Sequence, residues 1–546
     1  MVLHAPTSRV SVRLLLSLAI SIVASGASLS AEESWTRMDK SGLRELYSPM
    51  TAKENLLRGQ IYDHYKNAVL SRATDAPITI KRLSDIISVK ISSNGIIGVN
   101  FDRSTLSREY TPAELENTLN LLRNEICISI EQRHGLCGGV LFFFSGQPHH
   151  RLFSDAPQVE MPIGRRMGAA SGKKVVISAG HGYYYHHTFK KFTTQRDAFN
   201  GIIEDLVTPN FADRLSSYLT SRSSASPFLA RNPSSGAYNK TAIPWRHMAS
   251  RYYIKSILPK NPEIWNSYSS TSKGVKAGSR EHTDDIYTRP KYANHLKATG
   301  ILSLHTNGEK DGNKARGTWV MYQAGREQGK KLAENVYCYL KEQYGASNSY
   351  KNFKIEKPKV TNLAELREAT STGVLVEAAF HTNKDDAAAI GDSVFQDLVA
   401  KGIEKGWRLF MEGKGCARFA ISAIPAASGP HNTSIPIEIR YGGYPQFPVV
   451  AKISVVECPS GWSCTGGDLT FENQQNSPLK YSWTCNADAS TPTATFVIQT
   501  ELRDTDGVTA TAFKHNITCS SSEAQSNGQN VPATPTKGMA HPKQVN

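Results

Sequence analysis

Two stretches of this 546-residue chain end an apolar run in a histidine. Val175-Val176-Ile177-Ser178-Ala179 runs into Gly180-His181-Gly182, and Ile301-Leu302-Ser303-Leu304 runs into His305-Thr306-Asn307. Between them, Gly201-Ile202-Ile203-Glu204 puts a carboxylate at the start of a predicted helix. Two neutral imidazoles and one carboxylate make a catalytic zinc set, because three protein ligands leave the fourth position open for water. Gly373-Val374-Leu375-Val376-Glu377 places another acid directly after an apolar run. Partly desolvated there, Glu377 would suit a general base that becomes a general acid. Each residue alone has a plainer role: Glu204 answers a helix dipole, and His305 is a satisfied core histidine. Their order and shared strand-end placement favour the joint reading, since open α/β sheets put their sites at the carboxyl ends of strands.

The elements that must hold these groups alternate. Strands are predicted at Val175–Ile177, Gly300–Leu304, Thr318–Tyr322 and Gly373–Val376, with helices at Asp205–Tyr218, Gly325–Gln343 and Asp385–Phe410. Such alternation predicts an α/β layered domain over residues 166–412. A stretch at about 220–280, rich in Ser, Tyr, Pro and Asn, reads as an insertion. His247 within it and His282 just beyond it read as surface residues.

From about Lys173 to Phe410 the chain resembles the zinc-dependent N-acetylmuramoyl-L-alanine amidases of the Amidase_3 type. The resemblance is carried by Gly180 to Gly182, Glu204-Asp205-Leu206, Arg289 with Ala293-Asn294, Ser303 to Asn307, and Leu375-Val376-Glu377 followed by Phe380 and Thr382-Asn383. It implies that His181, Glu204 and His305 bind zinc and that Glu377 is the catalytic acid/base. Arg289 and Asn307 would be supporting groups of the catalytic set, although Arg289 could equally tie a helix to the sheet. The substrate implied is peptidoglycan, cut at the amide between N-acetylmuramic acid and the L-alanine of the stem peptide. Ser178-Ala179 replaces the acidic residue and Pro usual in the family, and Ala379 replaces a Gly; neither change removes a ligand or the acid. A zinc peptidase of related fold and a non-catalytic cell-wall-binding protein are the alternatives. The presence of the whole set argues against the latter.

The remainder is read as flanking modules. Arg9 and Arg13 ahead of an apolar run from Leu14 to Val23 mark residues 1–31 as a secretory signal peptide, too short an apolar run to anchor in a bilayer. An exported protein, periplasmic or secreted, is therefore expected. Residues 32–165 predict a small α+β module: an Asn94-Gly95 hairpin, a helix capped by Thr111 with Pro112 and Glu114, and a buried strand at Val140–Phe144. Its His134, His149 and His150 read as solvated. Residues 413–522, with short strands separated by turns, predict an immunoglobulin-like β-sandwich, and residues 523–546 a disordered tail.

Eight cysteines in an exported chain predict disulfides; keeping partners local pairs Cys127 with Cys137, Cys338 with Cys416, Cys458 with Cys464 and Cys485 with Cys519. Lys plus Arg number 63 against 48 acidic residues, a net charge of +15, so polyanionic surroundings are expected. No zinc-finger, RNA-recognition or helix-turn-helix signature points to nucleic acid. Tyr183-Tyr184-Tyr185-His186-His187 with Lys190-Lys191 could stack on sugar rings or form a solvated loop. A monomer is expected, with the flanking modules available to a protein activator.

Overall fold

A computed structural model describes residues 46, 49–68, 86–106, 110–153, 160, 168–268, 280–309, 314–473, 476–488, 490–521 and 538–544. The expected signal peptide, residues 1–31, lies outside the described residues. The chain forms two units, one within residues 1–156 with 323–326 and 360–362, the other within 157–322, 327–359 and 363–546.

In the first unit, α1 (Ala52–Ala68) is followed by β1 (Ile87–Ile91), β2 (Ile96–Phe101), α2 (Pro112–His134), β3 (Gly139–Phe144) and β4 (Gln147–Pro148). β1 and β2 pair as an antiparallel hairpin, with Gly95 at φ 76° in its turn, and β3 lies parallel to β2. Thr111 caps α2 in a reciprocal box: its hydroxyl accepts from Glu114 N–H at 3.2 Å, and Glu114 accepts from Thr111 N–H at 3.0 Å. The solvated reading of His149 and His150 is corrected, because both are 1% exposed. A single 3-10 turn after β4 folds them inward, with His149 Nε2 3.7 Å from Glu116.

The second unit begins with β5 (Lys174–Ala179), β6 (Tyr184–His186), β7 (Lys191–Thr193), α3 (Glu204–Ser223), β8 (Ser226–Leu229), α4 (Ser250–Ile257), α5 (Pro262–Trp265) and α6 (Arg280–His295). Further along the chain come β9 (Gly300–Asn307), β10 (Trp319–Gln323), α7 (Glu327–Ala346), β11 (Lys359–Thr361), α8 (Ala364–Arg367), β12 (Thr372–Phe380), α9 (Lys384–Gly391) and α10 (Ser393–Met411), all of the second unit except most of β11 and the end of β10, which belong to the first. The strands that position the site run in the order β10-β12-β9-β5-β8, parallel except for β10. Every residue of β9 and β12 is buried, as expected where both faces of a parallel sheet are covered. The stretch expected as an insertion from about 220 instead begins with the last turn of α3 and the sheet strand β8, so the departure from regular layering starts after Leu229. The single helix expected over 385–410 is two helices. Asp392 breaks it and caps α10, accepting from Val394 N–H at 2.9 Å.

Ten further strands follow: β13 (Ala420–Ala423), β14 (Ala427–Pro430), β15 (Ser434–Gly442), β16 (Val449–Glu457), β17 (Trp462–Cys464), β18 (Gly467–Phe471), β19 (Leu479–Asn486), β20 (Ala494–Asp504), β21 (Thr509–Ser520) and β22 (Gly538–Gln544). They form two five-stranded sheets, β13-β15-β19-β22-β17 and β14-β21-β20-β16-β18, around a core that includes Ile437, Tyr481, Trp483, Phe496 and Leu502. β22 departs from the expected disordered tail over residues 538–544, the part of 523–546 that is described. It pairs with β19 and β17, with Ala540 buried, so backbone pairing rather than apolar content orders this segment.

The sandwich and the α/β layer belong to one unit, and ionic contacts join them. Arg222 at the end of α3 grips Asp506, in the β20–β21 turn, with two hydrogen bonds of 2.7 and 2.8 Å, and Lys401 of α10 lies 3.4 Å from the same carboxylate. Disulfide Cys338–Cys416 ties α7 to the lead-in of β13. All four expected disulfides form. Among the described residues no helix is long and apolar enough to cross a membrane.

Candidate metal and catalytic site

Three neighbouring elements bring the chemistry together. β5 delivers His181 just beyond its carboxyl end, β9 carries His305 near its own end, and Glu204 opens α3. One donor atom from each lies within 4.8 Å of the others, and all three residues are buried. Glu204 Oε1 sits 2.9 Å from His305 Nδ1 and 3.4 Å from His181 Nε2, and accepts from Thr306 N–H at 3.0 Å.

The Gly-His-Gly turn is shaped by contacts as much as by its bend. A Cβ on Gly180 would stand 2.4 Å from the His305 ring, and one on Gly182, at φ 128°, would stand 2.7 Å from Ala249 N. Either methyl would displace a ligand or the backbone facing it. His181 itself holds φ 62°, a left-handed conformation unusual for a residue with a side chain. Asp205 keeps it there, accepting from Gly182 N–H at 2.9 Å and from Gln195 N–H at 2.7 Å.

Glu377 is the register partner of His305 on adjacent parallel strands. Partners in a parallel pair project to the same face, so Glu377 is placed on the same face of the sheet as His305. It is 4% exposed. Asn307 ends β9 and its Oδ1 accepts from Gly308 N–H at 3.0 Å, which shapes the chain as it leaves the strand. Arg289 is wholly buried on α6, donating to Glu365 at 2.7 Å and to Asp285 at 3.1 Å. It therefore reaches His305 only through Glu365.

Burial and charge divide the titrating groups. For His305, burial alone would lower the pKa, but Glu365 and Glu204 lift it to about 10. His181 moves the other way, lowered by burial and by Arg196 despite Glu204. Burial would raise Glu204, yet His181 and His305 hold it well below the usual carboxylate range. Glu365 is likewise lowered, its burial outweighed by Arg289 and His305. A cluster that keeps a carboxylate ionised between two imidazoles is chemically suited to a divalent cation.

Several residues here carry no sequence signal. Glu365, from the one-turn helix α8, approaches His305 Nε2 to 3.1 Å; Gln195 Oε1 lies 3.0 Å from His181 Nδ1. His282 is not a surface residue: it is 7% exposed, its ring 6.4 Å from that of His181 and 5.6 Å from that of Tyr184. Burial, then Arg196 and His181, push its pKa well down, so it stands as a neutral imidazole beside the site. His381 is also buried, its Nδ1 2.9 Å from the Thr306 hydroxyl. From the Gly-His-Gly turn the chain continues into the β6–β7 hairpin, at whose tip Phe189 is 62% exposed and stacks on His186 at 3.9 Å.

The layered α/β domain thus carries at its strand ends a buried His-Glu-His set that could hold a divalent metal, the kind of ligand set that metal-dependent hydrolases use. More particularly, residues 175–408 match the Amidase_3 family, described as N-acetylmuramoyl-L-alanine amidase. The germination-specific N-acetylmuramoyl-L-alanine amidase of Bacillus subtilis (strain 168) is 26% identical over 143 residues, 26% of this chain and 57% of that relative's length. Similar solved structures include an N-acetylmuramoyl-L-alanine amidase from Clostridium difficile 630, 20% identical, covering 45% of this chain and all of that one, with a TM-score of 0.28. The CwlD amidase from Clostridioides difficile, in complex with the GerS lipoprotein, is 16% identical and covers 44% of this chain and all of that one, with a TM-score of 0.30.

Proposed function

We propose that the protein hydrolyses the amide between N-acetylmuramic acid and L-alanine in peptidoglycan, with His181, Glu204 and His305 holding a zinc ion and Glu377 acting as acid and base. The observation that carries this reading is the convergence of His181, Glu204 and His305 with Glu377 in register beside His305. When bound, zinc would supply Lewis acidity and lower the pKa of a coordinated water. Glu377 accepts the proton of the attacking water and delivers it to the departing amine as the amide C–N bond breaks. Neutral His282 walls the site without adding charge. Phe189 on His186, with Lys190 and Lys191 beside it, offers an aromatic face for a sugar ring and cations for acidic polymers. The basic chain, its disulfides and a leader-like start together support action outside the cytoplasm, as a monomer whose flanking unit and immunoglobulin-like sandwich are available to the wall or to a protein activator.

Digestion of purified peptidoglycan, with and without a zinc chelator and beside Glu377→Ala, tests this. Release of stem peptides beginning with L-alanine from unbroken glycan strands, lost in both controls, is the expected result. Products cut within the peptide would make the protein a peptidase, and wall binding without products would make it a binding protein.

A further inference from the structure

We propose that Glu365, Gln195, Asp285 and Arg289 form a hydrogen-bonded belt behind the His-Glu-His set, that it dictates which ring nitrogen each histidine presents, and that it sets the metal affinity of the site. The inference rests on the metal reading above and adds to it residues outside the ligand motif.

The belt can be followed atom by atom. His181 Nδ1 lies 3.0 Å from Gln195 Oε1, and Gln195 Nε2 donates to Asp285 Oδ2 at 2.9 Å. The same Asp285 oxygen accepts from Arg289 Nη2 at 3.1 Å. Arg289 Nη1 donates to Glu365 Oε2 at 2.7 Å, and that oxygen lies 3.1 Å from His305 Nε2. An unbroken path thus joins the outer nitrogens of the two histidines through four residues, of which Asp285 and Arg289 are wholly buried and Glu365 is 4% exposed.

The direction of each bond is forced. Asp285 takes the amide N–H of Gln195, so Gln195 turns its oxygen to His181, and that oxygen requires a hydrogen on Nδ1. Glu365 is equally an acceptor, so His305 must carry its hydrogen on Nε2. The inward nitrogens are therefore unlike atoms, Nε2 of His181 and Nδ1 of His305, the same atoms that converge on Glu204 Oε1; a cation would take the place of the proton that His305 Nδ1 shares with Glu204. An acceptor behind a ligating imidazole fixes its tautomer and ring orientation and raises its basicity. Glu365 also accepts from the Ser178 hydroxyl, so its two oxygens serve three donors. A glutamine there keeps the shape but removes the negative charge that faces His305 and Arg289.

The test uses the full chain. Zinc affinity is measured by competition with a chromogenic chelator for the wild type, Glu365→Gln and Gln195→Ala, alongside thermal unfolding of each apo protein and the visible spectrum of its Co2+ form. The belt predicts a loss of zinc affinity of about 10- to 100-fold in Glu365→Gln and about 10-fold in Gln195→Ala, with altered Co2+ bands in both. Unchanged affinity and spectra, with only the apo melting temperature lowered, would reduce Glu365 to a structural residue and overturn the proposal. Should Glu365→Gln not fold, Gln195→Ala decides alone, since Gln195 is half-buried and its affinity either falls or does not. A wild-type chain that binds no zinc would sink the metal reading and the belt together, whereas wild-type binding with indifferent variants would sink only the belt.

Discussion

The α/β layer and the β-sandwich belong to one unit yet handle buried polarity in opposite ways. At the carboxyl ends of β5, β9 and β12, Glu204, Asp205, Asp285, Arg289 and Glu365 are all nearly or wholly buried. The sandwich encloses aromatic and aliphatic side chains, with single polar groups such as His515 and Thr500 among them. Buried ions are costly even when paired, and replacing them with apolar residues is often neutral or stabilising. Their concentration at one edge of one sheet therefore marks a region shaped by chemistry, while the sandwich is shaped by packing.

If that contrast holds, substitutions in the two regions should separate activity from stability. Glu377→Gln should lower kcat by about 100- to 10,000-fold while zinc content and melting temperature stay at wild-type levels, checked by product release, metal analysis and calorimetry. Trp483→Ala should do the reverse, costing about 3–5 kcal/mol in denaturant unfolding with the rate per folded molecule unchanged. Arg222→Ala probes the seam between the regions. It strips Asp506 of two hydrogen bonds but leaves Lys401 nearby, so a loss of about 1–3 kcal/mol is expected in the same unfolding assay.

The smallest effect is one of pH. Burial lowers the pKa of His515 from 6.5 to about 4, so between those values the unfolded chain binds a proton that the folded chain refuses. Stability should therefore be full above pH 6.5 and decline as the pH falls toward 4, by about 1–2 kcal/mol from this residue. His515→Gln should flatten that slope in urea titrations across the window; an unaltered slope would assign the acid sensitivity elsewhere.

The sequence made the ligand group legible because His181 and His305 each follow an apolar run, a pattern that survives without knowledge of the fold. The alternation of strands and helices was legible for the same reason. Glu365 was not: it lies 60 residues beyond His305, and Ala364-Glu365-Leu366-Arg367 reads as an ordinary amphipathic turn until α8 packs on α6 and β12 and brings Glu365 to His305. His282 was misread because nothing local signals that α6 buries the histidine at its start. The break at Asp392 was visible only as a polar residue in a helical pattern, and β22 had no signal at all, because its order comes from backbone partners distant in the chain.

That last strand has a practical consequence. β22 lies between β19 and β17 and satisfies the backbone of both. A chain cut after residue 522 would present two unpaired rows of N–H and C=O groups, each a template for a strand from another molecule. Trimming the polar end to improve a preparation would thus open a sticky gap in the middle of this sheet.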